Sequence, residues 1–148
     1  MGYKFTYQKI LDIRNIQEEL KSVETASKQR ELQEEQEELE KLNELKSDHV
    51  NGNGKKTGKS PHELLLNDTY MNQMNRKLDD QKQEVEKRES ELKDKKAELL
   101  EATKSKKIMD KLKETDYQNF KTEEDRKVQK DLDDIGAKMT KNKKENQG

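Results

Sequence analysis

The sequence predicts an all-α fold, a long antiparallel two-helix coiled-coil hairpin whose second helix is longer than its first. Three observations carry that prediction. Met71, Leu78, Val85, Leu92 and Leu99 recur at every seventh position in a segment otherwise rich in Lys, Glu, Asp and Gln. Such a seam can be buried only against another helix. A weaker apolar stripe lies earlier in the chain, and between the two sits the single proline, Pro61, beside a glycine cluster that marks a turn.

Composition sets the limits of the fold. With 26% hydrophobic, 4% aromatic and 44% charged residues among 148, the chain cannot build a thick globular core, and composition alone would permit disorder. The regular spacing of its few large apolar residues favours an elongated coiled coil instead. Thirty-two Lys and Arg against thirty-three Asp and Glu, interspersed along the chain, leave no concentrated basic face, so nucleic acid is not expected as a partner. The absence of cysteine excludes disulfides and thiolate chemistry. The opening MGYKFTYQKILDIRN has no uninterrupted apolar run, and no segment is apolar enough to span a bilayer. A soluble cytoplasmic protein without direct membrane insertion is expected.

The elements follow in order, as one hairpin domain over residues 1–148. The first helix is expected over about residues 6–49, with Thr6 as N-cap and Phe5 and Ile10 as a hydrophobic staple. Ile13, Ile16, Leu20 and Val23 continue one stripe, and Leu32, Leu39, Leu42 and Leu45 resume it in a shifted phase, which predicts a stutter or soft joint in mid-helix. Glycines and asparagines between Val50 and Ser60 form the loop. Ser60 as N-cap, Pro61 at the first helical position and Glu63 three residues after the cap restart the second helix, expected over about residues 61–142. A turn centred near residue 55 sets Phe5 against the region of Ser105 and leaves everything from about Lys111 onward without a partner helix. That overhang carries Leu112, Tyr117, Phe120, Val128, Leu132, Ile135 and Met139, a stripe that an isolated helix gains nothing from in water, so an external partner or self-association is expected to cover it.

Candidate chemistry is sparse. Gly58-Lys59-Ser60 matches the end of a phosphate-binding loop, but the required first glycine is replaced by Asn53 and no apolar strand precedes it, so the triplet reads as loop and helix cap. His49 and His62 flank the loop with Asp48 and Glu63 nearby, a weak metal signal better read as solvated side chains. With no Cys and no further His there is no material for a general base or nucleophile, so neither a cofactor nor enzymatic activity is expected. Glu31, Glu34, Glu35, Glu37, Glu38, Glu40 and Glu44 crowd one segment, and Lys104, Lys106, Lys107, Lys111 and Lys113 another. They read as solvated helix surface, or as an addressed docking face that would mainly set orientation and encounter rate.

The opening Tyr-x-Phe-x-Tyr-Gln-Lys-Ile-Leu, the glutamate-rich first arm, the capped restart in mid-chain and the ending EEDRKVQKDLDDIGAKM together resemble the flagellar FliJ family over nearly the whole chain. The resemblance implies a component of the flagellar type III export apparatus, similar in shape to the central stalk of rotary ATPases, at the cytoplasmic face of the membrane at the flagellar base. Its implied partners are the export ATPase hexamer, the membrane export gate protein and export chaperones. The bare end, with Tyr117, Phe120, Val128, Leu132, Ile135 and Met139, would then engage the ATPase ring. On both arms near the turn, Leu42, Leu45, His49, Tyr70 and Met74 fit the family's gate-facing pattern, whereas Glu38, Lys77 and Gln81 depart from it in charge or polarity. An export chaperone or escort, or a purely structural coiled-coil dimer paired through its C-terminal stripe, is the alternative.

Overall fold

The computed structural model describes residues 2–53 and 60–147. Two helices make up the fold, α1 over Gln8–Asn53 and α2 over Pro61–Gln147, so the two-helix architecture with a longer second helix is borne out. Gly58 and Lys59 of the phosphate-loop-like triplet, and with them most of the expected loop, lie outside the described residues. Val50 to Asn53, expected in that loop, belong to α1.

The helix starts differ in quality. At α2, the Glu63 N–H donates to Ser60 Oγ at 3.2 Å and the Leu64 N–H to the Ser60 carbonyl at 3.0 Å, so Ser60 caps the helix as expected and Pro61 occupies the position where a missing N–H costs nothing. At α1, the Gln8 N–H donates to the Phe5 carbonyl at 3.2 Å and the Leu11 N–H to the Tyr7 carbonyl at 3.1 Å. Thr6 therefore lies in a turn before the helix and is not its cap. Phe5 packs on Leu11 and not on Ile10, which is exposed.

The residues divide into two compact units, one comprising the chain up to Ile16 with the chain from Thr103, the other Gln17–Ala102. In the first, Phe5, Leu11 and Met109 are buried together with Tyr3 against them. In the second, Leu32, Val85 and Leu92 form the core with Leu39 beside it, and Met74 and Leu78 are buried as well. Within each unit α1 and α2 run antiparallel. Phe5 meets Met109, four residues beyond the expected Ser105, and Ser105 instead accepts a hydrogen bond from Arg14 through its carbonyl at 3.0 Å. Lys113 reaches Gln8 at 2.7 Å. The overhang accordingly begins after Phe120 and not at Lys111.

The phase of α1 is the main correction. Leu11, Glu18, Thr25, Leu32 and Leu39 stand seven apart and are all buried or half-buried. One uninterrupted heptad phase thus runs through the helix, and the expected stutter is absent from it. Ile13, Ile16, Leu20 and Val23, taken from sequence as part of the seam, are 54–65% exposed and occupy a different face. Leu78, Val85 and Leu92 are buried as expected, with Met71 and Leu99 half-buried at either end of that stripe.

Where α1 offers no large apolar side chain to the seam, charges take over. Lys21 contacts Glu24 and Glu98 at 3.4 and 3.1 Å, and Lys95 contacts the same two carboxylates at 3.2 and 3.1 Å. Seven residues on, Lys28 and Arg88 share Glu31 and Glu91 in the same way, at 3.2 and 3.3 Å and at 2.9 and 3.2 Å. Each set is a closed ring of alternating sign, and a network of this kind holds geometry better than isolated surface pairs do. Thr25 Oγ1 donates to the Lys21 carbonyl at 2.7 Å and lies 3.3 Å from that of Lys95, while Gln81 Nε2 donates to the Glu35 carbonyl at 2.9 Å and its carboxylate at 2.6 Å.

The rings make stability depend on pH at both ends of the scale. Hydrogen bonds from Lys95 to Glu24, Lys28 to Glu91 and Lys21 to Glu98 lead the causes that hold these carboxyls below their ordinary 4.5. Their contribution is therefore whole above that value and is lost as pH falls through the lowered folded values. Lys21, Lys28 and Lys95 are raised above 10.5, chiefly by Glu98, Glu31 and Glu98 respectively, so theirs is whole below that value and is lost as pH rises through the folded ones. Thermal melting followed by circular dichroism should show the acid-side fall, and it should be shallower when Lys21 and Lys95 are both changed to Gln. Equal acid-side falls in the two proteins would contradict the role given to the rings.

Candidate functional site

Among the described residues no three His, Cys, Asp or Glu side chains group as metal ligands. What the fold presents is surface, in two places. The first begins at the aromatic end of the unit that contains the chain ends. Tyr3 stacks edge-on against Tyr117 with ring centroids 5.2 Å apart and leans on Phe120 at 5.3 Å. Its hydroxyl donates to Asp116 Oδ2 at 2.8 Å. Two of the six residues expected at the free end, Tyr117 and Phe120, are thus engaged within the chain, though Tyr117 keeps an exposed edge. The other four, Val128, Leu132, Ile135 and Met139, are 55–66% exposed along one side of α2. That part of α2 is supported locally, by Arg126 with Glu123 at 3.4 Å and Gln129 with Asp133 at 3.0 Å.

The second surface lies where α1 ends and α2 begins. His49 Nε2 donates to Asn67 Oδ1 at 2.7 Å, and its ring lies 4.2 Å from that of Tyr70. His49 is thereby committed to a neighbour on α2, and His62 is exposed. Of the five residues matching the gate-facing pattern, Leu45 and Tyr70 are exposed, Leu42 and His49 half-buried, and Met74 only 5% exposed. Met74 is therefore covered within the fold and is not itself part of the exposed surface. A shallow groove beside it is lined by Glu38, Leu42, Lys77 and Gln81, which brings together the three positions that depart from the family pattern.

Two further apolar faces are exposed, neither of them expected from the sequence. Leu64, Leu65 and Leu66 are all exposed at the start of α2. The signal was available, since three consecutive residues point about 100° apart and cannot share one buried face. The Ile13 to Val23 stripe on α1 was read as core because its spacing is helical, and spacing alone does not say which side meets α2.

The class of protein that this fold defines is an antiparallel two-helix coiled coil with exposed apolar stripes. The family model for the flagellar FliJ protein matches residues 3–145, nearly the whole chain, so the chain belongs to the FliJ family and is a flagellar export-associated protein. That family is a structural export component. No curated protein and no solved structure matches the chain. Among the described residues no helix is long and apolar enough to cross a membrane.

The aromatic contact has its own test. Withdrawal from water, then the bond to Asp116 and its charge, push the Tyr3 phenol from 10.0 up to about 12. Absorbance titration should show one of the four tyrosines ionising late, and Tyr3→Phe should delete that step. A late step that survives the substitution would place Tyr3 elsewhere.

Proposed function

We propose that this chain is a stalk-like coiled coil of the flagellar type III export apparatus. It engages the export ATPase ring and couples it to the membrane export gate, and it carries out no catalysis of its own. The observation that supports this most is the exposed stripe Val128, Leu132, Ile135 and Met139 on a helix that continues past Phe120, the last of its described residues in contact with the segment before α1. Side chains of this kind contribute about 1.5 to 3 kcal/mol each when fully buried, which a ring enclosing the helix would recover. Membership of the FliJ family supports taking that ring to be the export ATPase.

In this reading Tyr117 and Phe120 stiffen the base of the ring-binding segment by clasping Tyr3, and they offer the ring only their outer edges. The gate-facing surface is formed by Leu42, Leu45, His49 and Tyr70, where α1 ends and α2 begins. Export chaperones are further partners, and the protein works peripherally at the cytoplasmic face of the membrane at the flagellar base.

Changing Leu132 and Ile135 together to Asp should abolish stimulation of the export ATPase while leaving the melting of the paired helices almost unchanged, because neither residue is buried in this chain. Normal stimulation by the double variant would sink the ring contact. A large fall in melting temperature would mean that the stripe belongs to the intrachain core.

A further inference from the structure

The stripe on the free part of α2 carries its own pairing information. Val128, Leu132, Ile135 and Met139 follow one another at spacings of 4, 3 and 4, which are the d, a, d and a positions of a heptad. That assignment puts Asp131 and Lys138 at successive g positions flanking the seam, and both are exposed. Among the described residues neither forms an ion pair within the chain. Gln129 and Gly136 take the e positions on the other side.

These flanks distinguish the possible arrangements of two copies. In a parallel pair each g position faces the following e position of the other copy, so Asp131 would meet Gly136, and Lys138 would meet Lys143 with like charge. In an antiparallel pair centred between Leu132 and Ile135, g faces g. Asp131 then meets Lys138 of the second copy, and the two-fold axis repeats the pair. Gln129 faces Gly136 on the other flank, where no charge is opposed and the missing Cβ leaves room; within the chain a Cβ at Gly136 would meet nothing within 4 Å.

We propose that this segment is a self-association surface on which two copies of the chain pair antiparallel, with the four apolar side chains as the seam and reciprocal Asp131 and Lys138 pairs fixing the orientation. The inference does not rest on engagement of the ATPase ring. It assigns the stripe an occupant in the protein by itself, one that any other partner must displace. A seam of four side chains per copy is smaller than the interface of a standard stable complex, so the association is weak and depends on concentration.

Sedimentation equilibrium of the full chain over a concentration series tests this. The wild type should rise from the monomer mass toward twice that mass. Asp131→Lys and Lys138→Asp each oppose like charges across the antiparallel seam and should weaken dimerisation by roughly tenfold or more. The double exchange, Asp131→Lys with Lys138→Asp, should restore it, and the two single variants mixed should form a heterodimer. All three variants keep the apolar stripe, so loss of association cannot be put down to lost hydrophobic surface, and circular dichroism checks that they remain helical. A wild type that stays monomeric at every concentration overturns the proposal. So does a dimer that ignores Asp131→Lys, as a parallel pair would, or one abolished by Ile13→Asp, which would place the contact on α1.

Discussion

Everything in this molecule depends on the phase in which α1 meets α2. The seam on α1 is set by Leu11, Glu18, Thr25, Leu32 and Leu39, and two of those five are polar. Hydrophobic burial therefore cannot by itself hold the helices together at Glu18 and Thr25. The two closed charge rings, Lys21, Glu24, Lys95 and Glu98 and then Lys28, Glu31, Arg88 and Glu91, fill the gap. Their members pair so that residue numbers from the two helices add to 119, as Lys21 with Glu98 and Glu31 with Arg88 do. The rings repeat after seven residues with the same signs, so a slip of one heptad would still oppose unlike charges. The apolar clusters Phe5, Leu11 and Met109 and Leu32, Val85 and Leu92 are what distinguish the register, each within its own unit.

That division of labour explains what could be read from the sequence. The seam of α2 was legible because Leu78, Val85 and Leu92 are its large apolar residues in a polar background. The cap at Ser60 was legible because the capping chemistry is local. The phase of α1 was not. In its first half the most conspicuous apolar spacing belongs to Ile13, Ile16, Leu20 and Val23, which face solvent, while the true contact positions are Glu18, Lys21, Thr25 and Lys28. Polar residues in a seam are visible only once their partners on the other helix are known. The extent of pairing was misjudged for a related reason: α1 continues through Val50 to Asn53, which moves the turn along the chain and brings Tyr3 to Asp116 and Phe120.

The candidate surfaces follow from the corrected phase. Because α1 spends its polar residues on α2, its isoleucines remain outside. Because pairing ends at Phe120, the stripe from Val128 to Met139 remains outside as well. Of the six residues expected at the free end, the last four are exposed, whereas the aromatic contact with Tyr3 holds Tyr117 and Phe120 within the chain. Near the start of α2, Met74 was legible as apolar but not as buried, since it matches both the seam of α2 and the gate-facing pattern.

The most direct test of this account compares Leu32→Gln with Leu20→Gln by thermal melting. Both replace an apolar residue of α1 with the same helix-compatible polar one, so helix propensity cancels. Leu32 lies in the seam and Leu20 on the outer face. The account predicts that Leu32→Gln costs about 2 to 4 kcal/mol of stability, while Leu20→Gln stays within roughly 0.5 kcal/mol of the wild type. A loss at Leu20 as large as that at Leu32 would contradict it, since the stripe from Ile13 to Val23 would then be part of the core.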